Sequence, residues 1–381
     1  YSILRTSINA TPFVKRVIDL PIAKDKDENT TQGAKQSTFD LKGSNFDDFG
    51  KEMTIKQLVE IPFYEDTKTG LGSAFYIQGA AAYDKYLFQA YIGGKYIDVV
   101  DLGTNKKVAT LDITDTVISS STFSAYHGNV LSFGKDKASG SEFPYLYYSC
   151  ENNNTPCIMV VKIDKSNWTG KIAQWIYLSK CSGGASQSGS SSSSSNDFTH
   201  YFQNGCVDAE NDCIWVSGYT LNSYKDDTVD GNINQLVYRK YPLPKVSEEA
   251  FYFSVQEVQQ TFKLPFKKGT QGIVIRNNKL YQTFGYNQQG DNGEVIRDMN
   301  LDCIDLITGQ LIVNYNFPKE SLLGVSEELE SPYIYKDNLY FIAAKGKSSI
   351  PENRYYILWS LSAENSGSGG GTGGSGGIIV A

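Results

Sequence analysis

Short groups of hydrogen-bonding residues recur at five places along the chain, each just before a run of residues that favours a β-strand. They are Gln78-Gly79, His127-Gly128-Asn129, Gln203-Asn204-Gly205, Gln271-Gly272 and Glu328-Leu329-Glu330. Amide and carboxylate groups bond to sugar hydroxyls, and tyrosine rings can stack on sugar faces. The predicted ligand-binding residues are Gln78, His127, Asn129, Gln203, Gln271, Glu328 and Glu330. The alternative is that these side chains bond to one another and hold the fold together.

Catalysis by the same region of the chain must be weighed against binding. A glycoside hydrolase needs two separated carboxyl groups, one as acid and one as base or nucleophile. Glu328 and Glu330 stand in one unit. The second acid would be Asp84 or Asp302, which fall at a turn and within a third strand. His127 could serve as a general base, since imidazole titrates near neutral pH. The sequence contains neither GxSxG nor GxxxxGK[ST], and we assign no catalytic residue.

Each polar group begins a predicted β-hairpin. The turns carry Asp84-Lys85, Asn277-Asn278 and Asp337-Asn338, and Asn and Asp tolerate the positive φ that tight hairpins demand. A third strand follows each hairpin, and two third strands end in the similar turns DLGTNK and DLITGQ. A fourth strand follows in four units, predicted as VATLDI, IAQWIYL, FYFSVQEV and LIVNYNF.

Repeated four-stranded antiparallel units predict a β-propeller. The sequence therefore indicates an all-β, five-bladed propeller, with units beginning 49 to 76 residues apart. The last unit lacks a fourth strand, and we expect residues 55–63, IKQLVEIPF, to supply it and close the ring. The predicted domains are an N-terminal extension at 1–50, the propeller at 51–362 and a Gly/Ser-rich tail at 363–381. The alternative fold is a β-sandwich.

Composition narrows the classes of function. Aromatic residues make up 13% of the 381 residues, which favours strands over helices. The net charge of -7 argues against a nucleic-acid partner or an anionic membrane surface. No apolar stretch approaches the roughly 20 residues of a membrane helix. The chain begins with neither an initiator Met nor a signal peptide, so we expect a mature or excised piece.

Six cysteines leave two interpretations open. Cys150 and Cys157 form one close pair and Cys206 and Cys213 another, each at a separation that a hairpin disulfide could bridge. The alternative is incidental thiols, and a disulfide would imply an oxidising compartment. Zinc is disfavoured, because the spacing is too wide and only two His residues exist. We expect no cofactor, although neighbouring carboxylates and amide oxygens would suit an axial calcium ion.

Several segments resemble a known family. HGNVLSFGKDKASGSEFPYLYYS, QGIVIRNNKLYQTFG, CIDLITGQLIVNYNF and ELESPYIYKDNLYFIA resemble the blades of secreted five-bladed propeller proteins of gut Bacteroides. They are also similar to propeller domains of phage receptor-binding and teichoic-acid-associated proteins. The resemblance covers roughly residues 55–362. This chain reads Glu328-Leu329-Glu330-Ser331 where the family has a motif closer to Glu-Pro-Glu-Gly, so the last blade departs from the family pattern.

The resemblance implies an extracellular or virion-borne module for surface or glycan recognition. Together with the polar strand starts, it predicts a non-catalytic propeller that binds a carbohydrate or a cell-surface polymer. The alternatives are a polysaccharide-cleaving enzyme, either glycoside hydrolase or lyase, and a purely structural component. Residues 1–50 would join an upstream domain or assembly partner.

Overall fold

Alternating burial along the chain produces strands with one face in the core. In Thr169–Tyr177 the residues Gly170, Ile172, Gln174 and Ile176 are buried, while their neighbours are half-buried or exposed. Cys213–Tyr219 is instead buried at every position, as expected for a strand covered on both faces. The first strand therefore has one face in the core, whereas the second is covered on both faces.

The structure, a computed structural model, describes residues 53–62, 77–91, 96–104, 106–113, 123–124, 130–152, 155–178, 201–221, 226–253, 255–289, 295–317, 328–335, 338–345 and 355–363. Its strands in chain order are β1 Met53–Pro62, β2 Ile77–Tyr83, β3 Tyr86–Tyr91, β4 Tyr96–Asp101, β5 Lys106–Ile113, β6 Phe123–Ser124, β7 Leu131–Lys137, β8 Pro144–Asn152, β9 Thr155–Asp164, β10 Thr169–Tyr177, β11 Tyr201–Asp208, β12 Cys213–Tyr219, β13 Thr228–Val229, β14 Asn232–Ile233, β15 Gln235–Pro242, β16 Phe251–Tyr252, β17 Gln260–Pro265, β18 Thr270–Arg276, β19 Lys279–Gln289, β20 Val295–Asp305, β21 Leu311–Phe317, β22 Glu328–Tyr335, β23 Asn338–Lys345 and β24 Tyr355–Ala363. One 3-10 turn spans Val255–Glu257.

Within the described part of the chain, the longer strands form five antiparallel arrays of four strands each. The arrays are β2-β3-β4-β5, β7-β8-β9-β10, β11-β12-β15-β17, β18-β19-β20-β21 and β22-β23-β24-β1. A short parallel pairing of β5 with β10 joins the first two arrays edge to edge. We number the arrays as sheets one to five in this order.

The first strands of the five sheets contact one another in a closed cycle. β2 contacts β7 and β22, β11 contacts β7 and β18, and β18 contacts β22. Sheets arranged radially around their own first strands are the architecture of a propeller. The chain is therefore an all-β propeller, as the sequence predicted.

The ring closes through the N-terminal strand. β1 runs antiparallel to β24 from the pair Met53 and Ala363 to the pair Pro62 and Tyr355, with one bulge between Gln57 and Val59. The predicted closure is thereby confirmed. Residues 1–50 and most of the predicted tail, from residue 364 onwards, lie outside the described residues.

One predicted strand was wrong. The fourth strand of sheet three was expected in FYFSVQEV and is instead β17, which pairs with β15. Phe251 and Tyr252 pair with β10 of sheet two, and Phe253 is buried against Tyr241 with ring centroids 4.4 Å apart. This aromatic segment fills the gap between sheets two and three, so packing outweighs its strand propensity.

Apolar layers between neighbouring sheets form the core. Phe88, Phe143 and Trp168 pack between sheets one and two. Ile158, Val160 and Val216 belong to a second cluster that joins sheets two and three. A third cluster, with Trp215, joins sheets three and four. None of the described residues belongs to a helix with the length and apolar character needed to span a membrane.

Candidate functional site

The polar strand starts are β-bulges in four of the five first strands. The register shifts between Ile77 and Ala80 in β2 and between Phe202 and Asn204 in β11. It shifts again between Thr270 and Ile273 in β18 and between Leu329 and Pro332 in β22. An extra residue bends a strand and redirects its side chains. The predicted groups Gln78-Gly79, Gln203, Gln271-Gly272 and Glu330 therefore mark one repeated structural feature.

Three of the predicted ligand-binding residues are buried at these bulges. Gln78 is 4% exposed, Gln271 is 9% exposed and Glu330 is fully buried. Gln78 Nε2 donates a hydrogen bond to Glu330 Oε2 at 3.4 Å, although the two residues are 252 positions apart. Sheets one and five thus meet through an amide and a carboxylate.

The other four predicted residues are only partly placed. Gln203 lies in β11 and Glu328 begins β22, and nothing of their side chains is described. His127 and Asn129 lie outside the described residues. The ligand-binding roles of all seven predicted residues remain predictions.

A chain of hydrogen bonds continues from sheet to sheet. Asn204 Nδ2 donates to the carbonyl of Gln271 at 2.9 Å, and Gln271 Nε2 donates to the carbonyl of Gly285 at 3.0 Å. Thr283 Oγ1 donates to the carbonyl of Glu330. With the bond between Gln78 and Glu330, the chain links β11, β18, β22 and β2. We call Gln78, Asn204, Gln271, Thr283 and Glu330 the inner-strand polar cluster.

Two glycines that follow predicted glutamines, Gly272 and Gly205, lie where neighbouring strands leave little room for a side chain. A Cβ on Gly272 would lie 2.5 Å from Ser331 Oγ and 2.6 Å from Ser331 Cα. In β11, a Cβ on Gly205 would lie 2.4 Å from Ile158 Cδ1. At Gly272 the clash is with backbone, so a side chain there would force β18 and β22 apart, whereas at Gly205 the end of the Ile158 side chain can rotate away. Glycine therefore permits the close approach that lets the polar groups meet.

Asn204 and Thr283 were missed as candidate site residues. Asn204 is fully buried, and its Oδ1 has no hydrogen-bond partner within the described structure. Thr283 is fully buried in β19 and also donates to the carbonyl of Gly272 at 3.3 Å. A sequence signal for them existed, because Asn204 directly follows Gln203 and Thr283 interrupts an apolar run in the second strand.

A second polar group lies beside the cluster, between sheets three and four. Lys267 Nζ forms an ion pair with Asp302 Oδ1 at 2.6 Å and sits 4.6 Å from the centroid of the Phe284 ring. Asn314 also donates to Asp302. The carboxylate considered as a second catalytic acid is therefore held by a cation and an amide.

Tyr238 of sheet three bonds to sheet four close to this second group. Its hydroxyl hydrogen-bonds to Gln282 Oε1. Burial, followed by the charge of Asp302 and the neighbouring Tyr219, raises the pKa of Tyr238 well above its ordinary value. The hydroxyl stays protonated at physiological pH, so Tyr238 acts as a donor and not as a base.

Asp84, the other acid considered, stands too far from Glu330 to share its chemistry. Asp84 lies in the turn after β2, six residues beyond Gln78, which contacts Glu330. At about 3.3 Å per residue, Asp84 is roughly 20 Å along the strand from Gln78, whereas glycosidase carboxyl pairs lie at most about 9.5 Å apart. Within the described part of the chain, no group of three or more His, Cys, Asp or Glu residues is arranged to hold a metal ion.

Comparisons with known proteins show remote structural likeness. No family model and no curated protein sequence matches the chain. A Xanthomonas citri GH43_1 enzyme complexed with xylose aligns at 8% identity and TM-score 0.44, over 81% of this chain and 91% of that one. Myxococcus xanthus glutaminyl cyclase aligns at 8% identity and TM-score 0.42, over 82% and 97%.

Kuenenia stuttgartiensis hydrazine synthase aligns at 11% identity and TM-score 0.33, over 70% of this chain. The chain spans 63% of the length of that hydrazine synthase chain. At such TM-scores these likenesses leave the function to be argued from the geometry of the chain itself.

Proposed function

We propose that the chain is an extracellular, non-catalytic recognition propeller that binds a carbohydrate or another cell-surface polymer at the end of the ring where the inner-strand polar cluster lies. The observation that supports this proposal is the meeting of polar side chains from sheets one, three, four and five. In ligand sites a small number of precisely placed polar groups fix the orientation of the ligand. Either a secreted bacterial protein or a phage tail component would suit such a module, with residues 1–50 joining an upstream partner.

The chemistry of the cluster suits a polyhydroxylated ligand. Amides both donate and accept hydrogen bonds, and a carboxylate accepts them from hydroxyl groups. Gln271 and Glu330 are buried and bonded to neighbouring strands, so they act on binding by fixing the strand starts rather than by contacting the ligand themselves.

Two further predicted residues, Gln203 and Glu328, are close to the cluster along the chain. Gln203 directly precedes Asn204, and Glu328 is two residues before Glu330 in β22. Two residues of strand span about 7 Å, so the backbone of Glu328 is within reach of a ligand at the cluster. His127 and Asn129 complete the proposed ligand-binding set.

Binding assays with variants test the proposal. The purified chain is screened on a glycan array, and any hit is measured by isothermal titration calorimetry. We expect Gln203→Ala and Glu328→Gln each to weaken binding at least about tenfold, the loss of one or two hydrogen bonds to a ligand. Gln271→Ala and Glu330→Gln should weaken it as well, through the cluster.

A matched control separates binding from folding. Gln174 is another buried glutamine, but it lies in the outer strand β10 and donates to Ser247 Oγ at 3.0 Å. Gln174→Ala should leave affinity unchanged while costing comparable stability. Unchanged affinity in Gln203→Ala, Glu328→Gln, Gln271→Ala and Glu330→Gln, with intact thermal unfolding, would contradict the proposed site. Release of reducing ends or unsaturated sugars from the bound polysaccharide would instead identify a glycoside hydrolase or lyase.

A further inference from the structure

Two cysteines face each other across a β-hairpin. Cys150 lies in β8 and Cys157 in β9, and they are direct partners in the register of the antiparallel pair. Their Sγ atoms are 3.6 Å apart. Both are buried, with 6% and 1% of their surfaces exposed. The two thiols are therefore neighbours on the same face of one sheet.

This placement meets the geometric requirements of a disulfide. Directly opposed residues in an antiparallel pair have Cα atoms about 4.5 to 5.5 Å apart, and disulfides accept about 4.4 to 6.8 Å. The sulfur atoms need to approach by about 1.5 Å to reach the S–S bond length of about 2.05 Å. Side-chain rotation can supply that movement while the strands keep their register.

The second close pair of cysteines does not meet the same requirements. Cys206 is opposite Trp215 and Cys213 is opposite Asp208, so the two cysteines are diagonal neighbours. Diagonal neighbours are about 7 to 8 Å apart, beyond the limit of about 7 Å for bridging without backbone movement. Cys303 is opposite Tyr281 and Val313, and neither partner is a cysteine.

The three other cysteines among the described residues, Cys206, Cys213 and Cys303, are buried. Burial, with a smaller contribution from Asp208, raises the pKa of Cys213 to about 12. Burial also raises the pKa of Cys303 to about 12 and that of Cys206 still further. The thiolate is the attacking species in disulfide exchange, so these three residues are poor nucleophiles near neutral pH.

We propose that Cys150 and Cys157 form an intrachain disulfide when the chain meets a small disulfide oxidant such as oxidised glutathione. One cysteine thiolate attacks the glutathione disulfide, which forms a mixed disulfide and releases one glutathione thiolate. The thiolate of the other cysteine then displaces the second glutathione. The two protein thiols thus lose two protons and two electrons, and two reduced glutathione molecules form. This inference is independent of the proposed ligand and identifies a modification site.

Access for the oxidant comes from the end of the hairpin. Cys150 is two residues from the end of β8 at Asn152, and Cys157 is two residues after the start of β9 at Thr155. Local opening at the end of a hairpin requires far less free energy than global unfolding. The same bond can also form before the hairpin closes, while the chain folds in an oxidising compartment.

Peptide mapping tests the inference on the full chain. The reduced protein is equilibrated with a glutathione redox buffer, residual thiols are alkylated, and the digest is analysed by mass spectrometry without reduction. We expect a peptide linking Cys150 to Cys157 and alkylated Cys206 and Cys213. The variant Cys206→Ser should retain that link, and Cys150→Ser should lack it.

Thermal unfolding provides a second measurement. The oxidised chain should melt at least about 3 °C higher than the reduced chain, since the bond constrains the unfolded state. The difference should disappear in Cys157→Ser and after treatment with a reductant. Full alkylation of Cys150 and Cys157 after equilibration, or a link from either one to another cysteine, would overturn the inference.

Discussion

At the residue scale, aspartates at the ends of third strands organise the turns that follow them. Asp101 Oδ1 accepts hydrogen bonds from the amides of Gly103 at 2.8 Å and Thr104 at 3.2 Å. Asp305 Oδ1 accepts the equivalent bonds from Ile307 at 2.7 Å and Thr308 at 3.1 Å. Asp101 and Asp305 therefore accept the same pair of amide bonds at the start of the similar sequences DLGTNK and DLITGQ, because an aspartate can replace the backbone acceptor.

Asp101 is the basis for a prediction about acid unfolding. Burial alone would raise the pKa of Asp101, but hydrogen bonds from Lys85, Gly103 and Thr104 outweigh it and lower the pKa below its ordinary value of 3.8. As pH falls, the unfolded chain takes up this proton first, so the stabilisation is complete above about pH 4 and is lost below it. Asp101→Asn should lower the free energy of unfolding by about 1 kcal/mol at neutral pH. The gap to the parent protein should close in strong acid.

Urea unfolding at a series of pH values measures this effect. Lys85 Nζ lies 2.8 Å from Asp101 Oδ2, so Lys85→Met removes the cation and leaves the turn bonds in place. That variant should move the acid transition to higher pH without abolishing the turn. A constant gap between parent and Asp101→Asn across the whole pH series would refute the assignment.

At the element scale, the bulges in the first strands allow polar side chains to cross between sheets, and glycine keeps those strands close. Gly272 in β18 is so close to Ser331 of β22 that an added Cβ would lie 2.6 Å from Ser331 Cα. Gly285 in β19 likewise faces the backbone of Leu329, where an added Cβ would lie 3.0 Å from its nitrogen and oxygen. The bond from Thr283 to the Glu330 carbonyl depends on this approach.

Gly272→Ala should lower the free energy of unfolding more than the same substitution at an uncrowded glycine. Its Cβ would lie 2.6 Å from Ser331 Cα, so backbone must move and the loss should be about 3 kcal/mol. Gly140→Ala is the matched control, because Gly140 has φ +74 and an added Cβ would meet no atom within 4 Å. Backbone strain alone should cost that variant about 1 kcal/mol. If urea unfolding shows equal losses of unfolding free energy in the two variants, β18 and β22 have room to separate.

At the scale of the whole molecule, stability depends on closure of the ring by the N-terminal strand. β1 supplies the outer strand of sheet five, whose other three strands come from the C-terminal part of the chain. Without β1, strand β24 would present an open edge with unpaired backbone groups. Strand β1 and the three C-terminal strands β22, β23 and β24 thus form one sheet.

Two truncations test the closure. Deletion of residues 1–50 leaves β1 complete and should shift the melting temperature by less than about 2 °C. Deletion of residues 1–62 removes β1 and should lower it by more than about 5 °C and promote association through the exposed edge. Differential scanning calorimetry and size-exclusion chromatography report these outcomes. A monomeric, equally stable product of the longer deletion would show that β1 does not hold the ring closed.

Local signals predicted much of this architecture. Asp84, Asn277 and Asn278 adopt φ values of 51, 49 and 54, as their hairpin turns require. The prediction failed at FYFSVQEV, where Phe251 and Tyr252 pair with β10 of sheet two and Phe253 packs between sheets two and three, so the segment does not extend sheet three. Propensity and alternation describe how a segment can pair, whereas burial against a distant sheet decides whether it does.

The sequence by itself determined most of the strand pattern, the turn chemistry and the polar character of the strand starts, because each depends on neighbouring residues. Closure by an N-terminal strand followed from the missing fourth strand of the last unit. Only the tertiary structure decided which polar groups meet. Gln78 reaches Glu330, and Asn204 reaches the Gln271 carbonyl, only because the first strands surround a common centre. Register likewise separated Cys150 and Cys157 from the diagonal pair Cys206 and Cys213. Contacts between distant residues arise from ring closure and strand register, which are cooperative properties of the whole chain.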